Sequence, residues 1–153
     1  MPHINEKIDF TVEVFIVHKN KILLRKHDKY KIWLSVGGHI ELNEDPNEAA
    51  IREVKEEVGL DIKLDDSLKK NREKDNTIEL IPPYFLNRHF VNLNHEHITF
   101  VYFATSNTDK IIENSEKEIR EECKWFTKEE IENEKILPNV KFYALNALKK
   151  LSQ

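Results

Sequence analysis

The chain has 153 residues, 39% of them apolar, with 24 basic against 28 acidic side chains and a formal net charge of −4. That length supports one domain, residues 1–153, with a substantial core, and is too short to expect two; so balanced a charge offers no basic stripe for a nucleic-acid surface. The single cysteine, Cys123, excludes an internal disulfide framework and fits a reducing compartment, and the lack of a membrane-length apolar run or a signal-peptide pattern points to a cytoplasmic protein with no membrane partner.

In chain order, Phe10 to His18 alternates as a strand, Lys19 and Asn20 give a tight turn, and Lys21 to Lys26 returns, predicting a hairpin. Trp33 to Val36 is a short strand that delivers the Gly37-Gly38 pair. Asp45 is a good N-cap, Pro46 suits the first helical position and Glu48 completes a capping box, so a helix starts near Pro46. Gly59 ends it near Val58. Ile62 and Leu64 open another extended segment. The polar tract over residues 65–76 reads as an irregular connection or a long exposed hairpin. After Pro82 and Pro83 come two strand candidates, Tyr84 to Val91 and Ile98 to Thr105, joined by a turn over Asn92 to Glu96. Trp125 and Phe126 end a last short strand, in which Cys123 reads as a strand residue. Thr127 caps a short helix with Glu130 in the capping-box position, and Asn139 to Leu151 reads as a terminal helix. No linker and no repeat interrupts the chain. Strands and helices mixed in this order indicate an α/β sandwich.

All three glycines fall between Gly37 and Gly59, inside a fixed acidic pattern: Gly38, five residues, Glu44, seven residues, then Arg52 Glu53 Val54 Lys55 Glu56 Glu57 Val58 Gly59 Leu60. A chain that uses its most permissive residue so sparingly places it where the backbone needs unusual angles or close approach. On the helix, Ile51, Val54 and Val58 fall on one stripe, with Glu53, Glu56 and Glu57 on roughly the opposite side. Like charges three and four residues apart repel. Arg52 and Lys55 offset part of that, and a divalent ion would offset more. Clustered carboxylate oxygens suit Mg²⁺ or Mn²⁺, and the glycine pair lets a bare backbone carbonyl approach the same ion. A run of Glu and Lys alone reads as a solvated helix face; the glycines, the cap and the spacing reverse that preference.

Gly38 to Leu60 matches every defined position of the Nudix box, so the chain resembles the Nudix hydrolase superfamily, MutT-like. The resemblance implies a mixed sheet between helices and a loop-helix-loop motif. It implies that Glu53, Glu56 and Glu57 bind the metal, often with the Gly37 backbone oxygen, and that Arg52 orients these carboxylates. Glu44 would be a structural or auxiliary carboxylate. It further implies hydrolysis of a nucleoside diphosphate linked to another group, by water attack on phosphorus. The general base in relatives often comes from a Glu well after the box; Glu113, Glu116, Glu118, Glu121 and Glu122 are candidates, and Glu118 is chosen for its spacing before Trp125. Two departures are visible. Asn43 stands where many members have Gly, and Asn tolerates left-handed angles, so the turn should survive. Val36 stands where Pro often precedes the glycine pair.

Other polar residues outline where a nucleotide substrate would lie. Arg25 reads either as a phosphate or base contact or as an outward strand residue with an ordinary salt bridge. His39, His89, His95 and His97 are assigned to polar wall or surface rather than to a metal, since a zinc site wants a closed ligand set; His39 is the one chosen to touch phosphate, beside Gly38. Trp33, Tyr84 and Phe85 are candidate base-stacking rings, with the core the preferred reading. Asn139 is either a base-reading amide or a helix cap. The marks that the ADP-ribose, diadenosine polyphosphate, NADH and coenzyme A subgroups carry are missing, which leaves a nucleoside triphosphate or related nucleotide. Two alternatives are a non-catalytic nucleotide-binding regulator and an isoprenoid diphosphate isomerase. The first commonly loses box carboxylates that this chain keeps, and the second needs a catalytic Cys that Cys123 is badly placed to supply. Whether the protein is a monomer or a homodimer stays open.

Overall fold

β1 (Ile8–His18) and β2 (Lys21–Lys26) form the expected hairpin, turned at Lys19 and Asn20 with φ of 46° and 64°. Both central residues are left-handed, as in the two-residue turn whose twist matches that of paired strands. The computed structural model describes residues 3–72, 75–112 and 122–153. β3 (Trp33–Leu34) and β4 (Val36–His39) follow, then α1 (Pro46–Val58), β5 (Ile62–Leu64), β6 (Phe85–Asn92), β7 (His95–Ser106), β8 (Glu122–Phe126), α2 (Lys128–Asn133) and α3 (Pro138–Leu151).

The strands join in one mixed sheet. Its spine is β1 and β7, which run parallel over ten paired positions from Ile8↔Glu96 to Val17↔Thr105. β2 and β4 pair antiparallel with β1, β5 and β6 antiparallel with β7, and β8 antiparallel with β2. Strand alternation sends side chains to two cores. Val12, Val14, Ile16, Leu23, Tyr102 and Ala104 face α1, whereas Phe15, Val17, Ile22, Leu24, Val101 and Phe103 face α3. Because helices cover both faces, the central strands carry unbroken apolar runs, Val14 to Val17 in β1 and Phe100 to Ala104 in β7.

Several expectations are refined. The turn between the last two long strands is Leu93 and Asn94, tighter than Asn92 to Glu96, because the hairpin continues through His95↔Asn92 past an irregularity at Phe90/Asn92. No strand lies between β5 and β6 among the described residues, so residues 65–72 and 75–84 are an irregular connection and not a hairpin. Asn47 ties it down, its amide donating to the Ile81 carbonyl at 3.0 Å and its Oδ1 accepting from the Ile81 N–H at 2.8 Å. Trp33, Tyr84 and Phe85 pack in or against the α3-side core, with Tyr84 stacked on Phe103 at 4.5 Å. No helix among the described residues is long and apolar enough to cross a membrane.

Candidate active site

α1 begins and ends where its caps dictate: Asp45 accepts from the Glu48 N–H at 2.9 Å, and Gly59, at φ 71°, closes the last turn onto Lys55. Ala49, Ala50, Val54 and Val58 are buried, while Ile51, expected in the apolar stripe, is 47% exposed. At about 100° per residue, a seam drawn through the two alanines and two valines takes in positions 53 and 57 and leaves 51 and 56 at its rims. Glu53 is therefore not on the opposite side of the helix but buried with the seam, 4% exposed. The small alanines, not the larger Ile51, mark the packed arc.

The glycine pair makes room for that carboxylate. A Cβ on Gly38 would run into the Glu53 carboxyl group, and one on Gly37 would run into the Val12 carbonyl across the β1–β4 ladder. Burial pushes the Glu53 carboxyl above its usual range, and Arg52 opposes the push.

Arg52 is the hub. Its guanidinium takes both oxygens of Glu44, Nη2 to Oε1 at 2.6 Å and Nε to Oε2 at 3.0 Å. It reaches Glu53 at 3.0 Å, Glu56 at 3.2 Å and the His39 carbonyl at 2.9 Å. Five fixed donors on a planar fork can serve so many acceptors at once; an ammonium could not. The bond from Arg52 holds the Glu44 carboxyl below its usual range. Glu57 meets a different cation: Arg25 Nε lies 3.3 Å from its Oε2 and donates to the Ser35 carbonyl at 3.0 Å. The three helix carboxylates thus leave α1 toward two arginines, with Glu53 and Glu57 mostly buried and Glu56 largely exposed.

Beside the glycine pair lies a cleft of about 430 Å³, with Glu13, Arg25, Tyr30, Gly37, Gly38 and His39 among its lining residues. A larger hollow of about 770 Å³, by the β1–β2 turn and the end of α3, has none of the box residues on its walls. Arg25, Gly38 and His39 are therefore brought together. Asn139 is not: it is an exposed second residue of α3, absent from the cleft wall, and the helix is capped at Leu137 without a side-chain bond. Glu118 lies outside the described residues. His39 and His95 are buried, 7% and 3% exposed, against Asp9: β4 carries His39 alongside β1 and β7 carries His95, while His39, His89 and His97 stand on the cleft wall, as the polar-wall reading expects. Sequence reading passed over Glu13 and Tyr30. Glu13, a lone acid in the apolar run Val12 to Val17, carried a signal; its burial pushes the carboxyl up to about 7. Tyr30, in a polar loop, carried none.

Comparison with known proteins gives the same fold and a family for the chain. The family model of the NUDIX domain matches residues 8–146. The solved structure of a NUDIX-family hydrolase from Clostridium perfringens is 41% identical, with 94% of this chain and 98% of that one covered and a TM-score of 0.78. Two others share the fold at low identity. A MutT protein from Methanosarcina mazei Go1 is 18% identical over 98% of this chain and 99% of its own, with a TM-score of 0.67. A MutT NUDIX hydrolase from Burkholderia pseudomallei is 20% identical over 96% and 100%, with a TM-score of 0.64. A comparison with curated proteins gives no significant match. A match spanning nearly the whole chain, on a sheet and box helix folded as that family folds them, makes this protein a member of the NUDIX hydrolase family.

Proposed function

We propose that the protein is a Mg²⁺-dependent pyrophosphohydrolase that cleaves a nucleoside diphosphate linked to another group, with a nucleoside triphosphate or related nucleotide as its substrate. The observation that carries this reading is the Arg52 clamp, which gathers Glu44, Glu53 and Glu56 beside the glycine pair while Arg25 fixes Glu57 along the same helix.

By the chemistry of their donors, the box residues suit a hard divalent ion. Glu53, Glu56, Glu57 and the Gly37 carbonyl would hold it, all of them oxygen donors of the kind Mg²⁺ and Mn²⁺ take. When bound, such an ion supplies charge neutralisation at the phosphate oxygens and activation of the attacking water. The protein's own contribution is placement. Arg52 keeps two carboxylates aimed without neutralising them by protonation, and Gly38 leaves the gap in which Glu53 sits. Arg25, on the cleft wall, would meet a phosphate, and the exposed ring of Tyr30, stacked on His27 at 5.0 Å, would offer a face to a base. Glu118 is proposed to accept the water proton. Retention of all the box carboxylates favours turnover over binding alone.

Assay of a nucleotide panel with Mg²⁺, comparing wild type with Glu57→Gln, tests this. Metal-dependent release of a nucleoside monophosphate is expected from the wild type, with a loss of at least about 100-fold in the variant. Binding without cleavage of any panel member would instead make the protein a nucleotide-binding regulator.

A further inference from the structure

At the end of the sheet where β1 and β7 begin, a second set of donor atoms converges. One donor each from His3, Asp9, His95 and His97 lies within 4.8 Å of all the others. The parallel register sets Asp9 beside His97, and His95, two positions earlier, shares its face. Asp9, 1% exposed, accepts from the Ile4 N–H at 2.9 Å and the Asn5 N–H at 2.6 Å. Those bonds fold the preceding arm back, so that His3 Nδ1 stands 3.4 Å from Asp9 Oδ2.

We propose that His3, Asp9, His95 and His97 bind one divalent ion of the zinc class, at a site separate from the box carboxylates, and that this ion ties the N-terminal arm to the β1–β7 pair.

The hydrogen-bond accounting argues for a cation here. His95 Nδ1 is 2.9 Å from the Glu6 carbonyl, and only a protonated nitrogen bonds a carbonyl, so in the neutral ring Nε2 is a bare lone pair. That lone pair lies 3.4 Å from a carboxylate oxygen of Asp9. Two lone-pair atoms so close repel unless a positive charge stands with them. The Nε2 atoms of His95 and His97 are both buried without a hydrogen-bond partner, and unsatisfied buried polar atoms are rare enough in native proteins to need an explanation. A backbone carbonyl on the far nitrogen is also the usual outer support of a metal-bound histidine.

Donor chemistry selects the ion. Three imidazoles and one carboxylate suit Zn²⁺ or its neighbours, whereas Mg²⁺ prefers oxygen alone. Four protein donors make a closed set, the arrangement of structural sites. Bonds of about 2.0–2.1 Å put tetrahedral donors about 3.3–3.5 Å apart, so the set must contract. Residues 3–7 are exposed, and the arm that carries His3 can supply that movement. His39, with Nε2 3.1 Å from the same Asp9 oxygen, connects the cluster to the cleft that it and His97 line.

The test uses untagged full-length protein stripped by chelator, titrated with Co²⁺ and then Zn²⁺ in excess Mg²⁺, and read by visible absorption and metal content per chain. One equivalent of Co²⁺ should give the intense absorption of a tetrahedral site, bleached by Zn²⁺ and unchanged in Glu57→Gln. His3→Gln, on the exposed arm, should fold normally and bind Co²⁺ at least about 10-fold more weakly, since even outer-shell changes cost that much; His97→Gln should lose the signal. Three results would overturn the proposal: a weak octahedral spectrum, a signal that vanishes in Glu57→Gln, or Co²⁺ affinity unaffected by both histidine substitutions.

Discussion

Gly37 and Gly38 are neighbours in one short strand, yet an added methyl group meets a different kind of obstacle at each. At Gly37 it meets the Val12 carbonyl, a backbone atom held in the β1–β4 ladder that cannot step aside. At Gly38 it meets the Glu53 carboxylate, the end of a side chain that can rotate away. Gly37→Ala should therefore cost stability, more than about 2 kcal/mol as overpacking and ladder distortion combine. Gly38→Ala should melt within a few degrees of the wild type and lose metal-dependent turnover, since Glu53 is expelled from its place between Arg52 and the strand. Paired thermal melts and activity assays check this, and equal loss of stability in both variants would contradict it.

On the scale of elements, the loop and helix that carry the box were legible almost residue by residue, because every signal in them is local. Asp45, accepting from the Glu48 N–H, and Gly59, donating to the Lys55 carbonyl, fix the helix ends through bonds to residues three or four away, and Pro46 fills the first helical position. Asn43, read as a stand-in for glycine, has φ 68°, so the turn before Glu44 survives the substitution. Asn43→Gly should leave stability within about 0.5 kcal/mol, and Asn43→Ala should lose about 1 kcal/mol, the usual cost of holding a Cβ-bearing residue left-handed; denaturant unfolding of the two variants decides it. What the local pattern concealed was the helix seam. Ile51 looks like core by composition, but Ala49 and Ala50 let α1 approach the sheet, and that approach is what buries Glu53. That Asn139 stands away from the cleft wall was hidden for a similar reason, since nothing in its own neighbourhood states which way the cleft faces.

For the molecule as a whole, the decisive fact is the parallel pairing of β1 with β7, whose partners stand 88 residues apart at Thr11 and Thr99. Periodicity records which residues are buried but not which strands meet, so the sequence disclosed the α/β class and neither this register nor the His3–Asp9–His95 meeting that depends on it. The same pairing places Glu13, on the α3-side face of β1, in the cleft wall. Burial raises its carboxyl from 4.5 to about 7, and the sign of the consequence is fixed by linkage. A group whose folded-state pKa lies above its unfolded value adds full stability below the unfolded pKa, and that contribution is lost as pH rises through the folded pKa. For Glu13 the loss accumulates between pH 4.5 and about 7, and a shift of this size amounts to roughly 3 kcal/mol. Glu13→Gln removes the ionisation. In metal-free protein the variant should therefore match the wild type near pH 4.5 and melt several degrees higher at pH 8, the gap opening across that window. Other titrating groups are common to both proteins and cancel in the difference. A divalent ion bound near the Gly37 carbonyl would stabilise the ionised Glu13 and shrink the gap, so adding Mg²⁺ at pH 8 should bring the two melting curves together. A gap of the same size at both pH values would show that burial does not disfavour the Glu13 carboxylate.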